Sequence, residues 1–238
     1  MGADTPAERL LRRLDCDVQR AVAGQDRMVL AFSGGLASLI LAALVRKRCD
    51  VVCEVVGLRG SADAESAGVA EKFLDYAVRT VRPSPTWVLR SARAIAATDA
   101  ALSAAEVLSL VPLVHVEARH PRERVLSGFG LTWESPRTRS FLRSRSALLP
   151  GIQARTVVPR TRLLGVADLL GLPESFSREA RRSPAEGSGI GPAIRALAHA
   201  EHASVARLLA VHVPRRDYHG RAAARVIPNH RLLTNGYK

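Results

Sequence analysis

The chain is poor in the residues on which small secreted domains and zinc modules depend. Its 238 residues include three cysteines, Cys16, Cys49 and Cys53. That is too few for a disulfide framework at this length, and no CxxC spacing is present for zinc or thiol exchange. A reducing, cytoplasmic setting fits. Aromatic residues are only 4% of the chain, so base stacking is not expected to carry any nucleic-acid recognition. Lysine is nearly missing: Lys47, Lys72 and Lys238 are the only ones among 35 basic residues. The rest are arginines, whose planar fork suits phosphate, although an alanine- and arginine-rich composition bias gives the same count. Long apolar runs are also lacking. Residues 29–45 are uncharged but too short to span a bilayer, and Ser33, Gly34, Gly35 and Ser38 interrupt them, so no membrane partner is expected. The first residues carry charge where a signal peptide needs an apolar stretch.

What is present bounds the class. With 47% hydrophobic and 24% charged residues, one sizeable core and one main domain are the expectation. The formal charge is +13, and it is one-sided: residues 1–118 carry fourteen basic and fourteen acidic side chains, residues 119–238 twenty-one and eight. A neutral front with a basic back points to a polyanionic or phosphate-bearing partner, since drift in composition should spread the arginines evenly.

Thr5, Pro6 and Glu8 form a capping box, and Leu10, Leu11, Leu14, Val18 and Val22 recur at helical spacing, so a helix is expected over 6–23, stopped by Gly24. A strand over 28–32, a Ser33-Gly34-Gly35 turn and a buried helix over 36–48 follow. Residues 51–58 read as a second strand and 62–76 as a helix, with a further strand at 77–81. Helices are expected at 91–98 and 104–118, the second kinked or broken by Pro112, before a short strand that ends at Ser127-Gly128. From 131 to 182 the pattern weakens, with a helix expected at 163–170. Alternating strands and helices imply an α/β fold with a Rossmann-like parallel sheet and helices on both faces, followed by a helical, basic C-terminal part. The chain divides into an N-terminal amphipathic helix (1–24), an α/β domain (25–200) and a basic C-terminal extension (201–238).

Ligands of such sheets bind beyond the carboxyl ends of the strands, where both glycine turns fall. Small residues straight after a strand let backbone N–H groups face an anion at a helix N-terminus. The turn is therefore either a phosphate cradle or a tight strand-to-helix turn packed on a neighbour. It has neither the GxxxxGK[ST] of a Walker loop nor the GxGxxG spacing.

The segment Ser33-Gly34-Gly35-Leu36-Ala37-Ser38 resembles the PP-loop of the ATP pyrophosphatases, SGGxDS. The resemblance extends to the asparagine-synthetase-type synthase domain. VVGLRGSADAESA is similar to that family's second strand and turn, RVLSGFGLTWE to its LSGxGADE strand, and EARRSPAEGSGIGPAIRAL to its RPKKAxxYGSG loop. The four blocks cover about residues 28–197, and the glutaminase domain of the amidotransferase is not among them. The resemblance implies ATP or AMP as ligand. Ser33, Gly34, Gly35 and Ser38 would cradle phosphate, Phe32 and Val56 would wall the adenine, Ser127 and Gly128 would pass under the base or ribose, and Arg181 or Arg182 would replace a phosphate-contacting lysine. The chain departs from the pattern at its metal ligands. Ala37 stands where the family has Asp, and Thr132 and Trp133 where it has Asp-Glu, so the carboxylates for Mg²⁺ are missing, with Glu134 one position away. Asp63 is retained, where it would also serve to cap the next helix.

Arg137, Arg139, Arg143 and Arg145, then Arg155, Arg160 and Arg162, and Arg215, Arg216, Arg221 and Arg225 in the tail have a density suited to an RNA phosphate backbone or a ribonucleoprotein. Solvated helix faces would look the same. His199, His202 and His212 could hold a metal on paper, but surface histidines are the preferred reading, and Glu117 with His120 is an acid/base pair on paper only. The expectation is a PP-loop protein without catalysis that binds adenine nucleotide and RNA. The alternatives are an active AMP-forming ligase and an ATP-dependent RNA-modifying enzyme.

Overall fold

The computed structural model describes residues 4–72, 74, 76–129, 131, 135–143, 148–150, 158–174 and 182–210. Arg145, Arg155, Arg181, Thr132, Trp133, Glu134, His212 and the tail arginines Arg215, Arg216, Arg221 and Arg225 lie outside the described residues.

Five strands form one parallel sheet: β1 (Arg27–Ala31), β2 (Asp50–Val56), β3 (Ala77–Val81), β4 (Val125–Ser127) and β5 (Leu148–Pro150), in the order β3-β2-β1-β4-β5. The chain winds outward from β1 to one edge, then returns to pair β4 on the other side of β1. That reversal leaves a crevice between the carboxyl ends of β1 and β4. The register aligns Ala31 with Glu54 on one side and with Ser127 on the other.

Because side chains of a strand alternate, the sheet feeds two cores. Met28, Leu30, Val51, Cys53, Val55 and Leu126 face a core shared with α1 (Pro6–Val22), α2 (Leu36–Arg46), α3 (Ala62–Glu71) and α7 (Arg160–Leu169). Val29, Val56 and Val125 face the other, built from α4 (Pro85–Thr98), α5 (Ala104–Arg119), α8 (Pro184–Gly187), α9 (Ile190–Ala200) and α10 (Val205–Ala210). One further helix, α6 (Pro136–Arg143), packs near β5. Helix α2 is buried almost all round, with Leu39, Ile40 and Leu41 fully covered, each side chain contributing about 1.5–3 kcal/mol. The N-terminal helix joins this core through Leu14, Val18 and Val22. Its capping box is formed: the Thr5 hydroxyl accepts from Glu8 N at 3.2 Å and the Glu8 carboxylate accepts from Thr5 N at 2.6 Å.

The structure corrects several expectations. Of the two outcomes expected at Pro112, a break does not occur: α5 is one helix from Ala104 to Arg119, and the core contacts along its buried residues between Glu106 and Val116 outweigh one missing backbone bond. Helix α4 begins at Pro85, not residue 91, with the Ser84 hydroxyl accepting from Trp87 N at 3.2 Å. Helix α3 ends at Glu71, so Tyr76 belongs to the loop before β3. Helix α2 ends at Arg46, not residue 48, and α7 starts three residues earlier than its apolar pattern suggests. Within 131–182, α6 and β5 were not legible. Among the described residues no helix is long and apolar enough to cross a membrane.

Candidate functional site

The turn after β1 is cross-tied. Gly34 has φ +72°, and a Cβ built on it would fall 2.7 Å from the backbone of Ser66 and Ala67 in α3, so only glycine fits. Gly35 N donates to the Ser33 hydroxyl at 3.3 Å, Ser33 N to the Ser38 hydroxyl at 3.4 Å, and the Ser38 hydroxyl to Gly35 O at 2.8 Å. These bonds bend the chain straight from β1 into α2. The N-cap of α2 is Gly35, with no side-chain cap. Residues 35–38 of this uncapped first turn line the crevice, an arrangement that favours an anion.

The crevice opens into a cavity of about 170 Å³. One side is the turn itself: Phe32, Ser33, Gly35, Leu36, Ala37 and Ser38, with Val158, Arg160 and Leu163 beyond. The floor is the sheet, through Ala31, Glu54, Val56, Ser127 and Gly128. The opposite wall is α5, through Ser109, Pro112, Leu113 and Val116, together with Phe129. Asp63, Arg182, Ser183 and Pro184 close the rim.

The rim segment is docked by specific contacts. Leu58 N donates to Ser188 O at 2.9 Å. A Cβ on Gly187 would collide with the Asp63 carboxylate, so Asp63 lies over that glycine. Arg195 grips Glu186 with two bonds, at 2.6 and 2.9 Å, holding α9 to α8 and keeping the Glu186 carboxyl below its usual range. Arg182, two residues before α8, lines the cavity and is exposed there.

Of the residues expected to hold nucleotide, Phe32, Ser33, Gly35, Ser38, Val56, Ser127, Gly128 and Arg182 all line this one cavity. Gly34 backs the turn from behind. Of the arginines expected on an RNA face, five are among the described residues, and they fall on two helices, α6 and α7. Arg160 lines the cavity, Arg162 is exposed on α7, and Arg137 is exposed but donates to Ala101 O at 2.7 Å. Arg139 and Arg143 lie on α6.

Sequence reasoning missed Ser109, Glu54 and the α5 wall. Glu54 had a signal, since it is the one charge within the apolar strand VVCEVVGL. It is 1% exposed, accepting from Arg119 Nε at 2.7 Å and lying 2.9 Å from His120 Nε2, whose other ring nitrogen meets Glu123. His120 thus serves Glu54 and Glu123, and its contact with Glu117 is a backbone bond. Ser109 had none. Its hydroxyl is buried in the cavity wall without a hydrogen-bond partner among the described residues.

The cysteines take no part. Cys53 is fully buried and its thiol is pushed up to about 12 by desolvation, which marks a packing residue. A protein-held Mg²⁺ does not fit the described residues. Ala37 puts a methyl in the wall, Asp63 is turned onto Gly187, and no group of three His, Cys, Asp or Glu side chains among the described residues could hold a metal.

No protein-family model and no curated protein matches this chain. Among solved structures, that of NMN synthetase from Francisella tularensis aligns with 88% of this chain and 86% of its own, at 12% identity and a TM-score of 0.48.

Proposed function

We propose that the chain binds an adenine nucleotide in the cavity between β1 and β4, as a PP-loop protein whose phosphate site relies on backbone N–H groups and arginine in place of a carboxylate-held metal. One observation carries this reading: the uncapped start of α2, the apolar slot between Val56 and α5, and the guanidinium-bearing residues Arg160 and Arg182 all line one cavity at the point where the sheet reverses its winding. The base would occupy the apolar slot and the phosphates the turn 33–38. Phosphoryl or adenylyl transfer leans on metal charge stabilisation, so binding without turnover is the expected behaviour.

Calorimetry of ATP and AMP with nucleic-acid-free protein, with and without Mg²⁺, together with a pyrophosphate assay, tests it. Binding that is indifferent to Mg²⁺ and releases no pyrophosphate supports the reading. Pyrophosphate release would replace it with the AMP-forming ligase, and no binding would remove the nucleotide altogether.

A second reading, RNA or a ribonucleoprotein as partner, is favoured by the concentration of the whole +13 in residues 119–238. If about six to ten phosphates are contacted, affinity should fall roughly 10³ to 10⁵-fold between about 50 and 200 mM salt. A flat salt response would remove it.

A further inference from the structure

The cavity extends past the phosphate-binding turn, and its inner part has a different chemistry. There the sheet presents Ala31, Glu54 and Val56 on the side facing α5, and α5 presents Ser109 through Val116. From Ser109 to Val116 the helix advances about 10 Å at 1.5 Å per residue, the length of a purine with a hydrogen bond at each end. The walls are apolar except for two groups. The Ser109 hydroxyl is 1% exposed and has no partner among the described residues. A buried hydroxyl left so costs about 1–3 kcal/mol unless something enters to meet it. Glu54 is equally buried and lines the same cavity, and Arg119 and His120 each engage one of its oxygens. A carboxylate has about four lone-pair sites, so these two contacts leave it acceptor capacity.

Resting on the nucleotide reading above, we infer that Ser109 and Glu54 read the base, selecting a heterocycle that carries an amino group. Glu54 accepts from the exocyclic amino N–H, a donor that the carboxylate requires and an unsubstituted ring cannot supply. Ser109 donates to a ring nitrogen. Arg119 and His120 do not touch the ligand but keep the Glu54 carboxylate in place. The apolar surfaces of Pro112 and Leu113 and of Val56 line the slot that takes the two faces of the ring.

The test is calorimetric binding of two nucleotides to the full chain: ATP, and the same triphosphate with hydrogen in place of the 6-amino group. Wild type should hold ATP at least about tenfold more tightly, the worth of one hydrogen bond to a charged group. Ser109→Ala should weaken both nucleotides equally, by about fivefold, while raising the melting temperature of the free protein, because it removes an unpaired buried hydroxyl. A purely structural serine would not move those two readouts in opposite directions. Glu54→Leu, which leaves no acceptor at this position, should abolish the difference between the nucleotides. Should that variant fail to fold, wild type and Ser109→Ala still decide. Equal affinity of wild type for the two nucleotides, or unchanged binding by Ser109→Ala, overturns the base-reading role and leaves nucleotide binding standing. Failure of wild type to bind either one overturns the nucleotide reading, and this inference with it.

Discussion

Gly128 and Ala37 face each other across the carboxyl edge of the sheet: a Cβ built on Gly128 would lie 3.2 Å from Ala37 Cβ and 3.2 Å from Ser38 N. The turn after β4 therefore rests directly on the first turn of α2. Gly128→Ala should push these apart by a few tenths of an ångström at a cost of about 1 kcal/mol, with a larger proportional loss of nucleotide affinity than of stability. Ala37→Asp tests the same spot chemically. Residue 37 lines the cavity, so a carboxylate there supplies the oxygen ligand that the described residues do not assemble. Nucleotide affinity should become Mg²⁺-dependent and rise about tenfold, or roughly 1.4 kcal/mol. A titration unchanged by Mg²⁺ would mean that the turn is not shaped for a metal-bridged phosphate.

Two glycines with nearly the same backbone separate conformational strain from crowding. Gly34 and Gly60 have φ of +72° and +71°, but a Cβ on Gly34 meets α3 at 2.7 Å, whereas nothing lies within 4 Å of one on Gly60. Gly60→Ala should cost only the left-handed penalty, about 1–2 kcal/mol. Gly34→Ala adds overpacking of about 1–3 kcal/mol and tilts the phosphate-binding turn. Denaturant melts of the two variants should differ by that amount. Equal destabilisation would mean that α3 yields freely and does not hold the turn.

The half of the fold around β1, β2 and α2 was legible because its signals are local. The Thr5–Glu8 box, the β-branched run of β2 and the apolar length of α2 each specify their element without help from distant residues. The same holds for the turn 33–38, whose glycines and serines sit where a strand meets a helix. What escaped depends on tertiary contacts. Pro112 leaves a break open until α5 is seen packed into the core before and after it. Arg160 belongs by spacing to an arginine run, and only the packing of α7 beneath the turn brings it to the cavity. Ser109 is one hydroxyl in an apolar helix, and its meaning comes from the opposite wall.

The buried carboxylate gives a sharp contrast between two ion pairs. Glu54 is 1% exposed where it meets Arg119, while Glu186 and Arg195 are 43% and 53% exposed. Arg119→Ala leaves a buried charge short of a partner, with His120 still in contact, and should cost about 2–3 kcal/mol. Arg195→Ala should cost at most about 1 kcal/mol, since water replaces the lost bond. Chemical denaturation of both variants at one pH checks this. Comparable losses would show that Glu54 is better solvated through the cavity than its burial indicates.

Acid should act on the core through His115. This side chain is 1% exposed, its ring meets Trp87 edge-on at 4.0 Å, and desolvation, with the Arg119 charge adding to it, pushes its pKa down to about 4 from 6.5. The folded protein therefore keeps His115 neutral where the unfolded chain already binds a proton. Stability from this group is fully present above pH 6.5 and declines as pH falls toward about 4, below which both states are protonated and no more is lost. The total is on the order of 3 kcal/mol. Glu106 and Glu186, whose carboxyls are also held low, begin to lose their contributions as pH falls past about 4.5, at the acid end of that window, and do so in any variant that retains them. The difference between wild type and His115→Leu therefore isolates the histidine. Urea midpoints measured from pH 7.5 to pH 4 should fall more steeply for wild type, the gap opening below about pH 6.5. Parallel pH profiles would show that the ring is protonated inside the fold, balanced by a group that reaches it from α4 or α5.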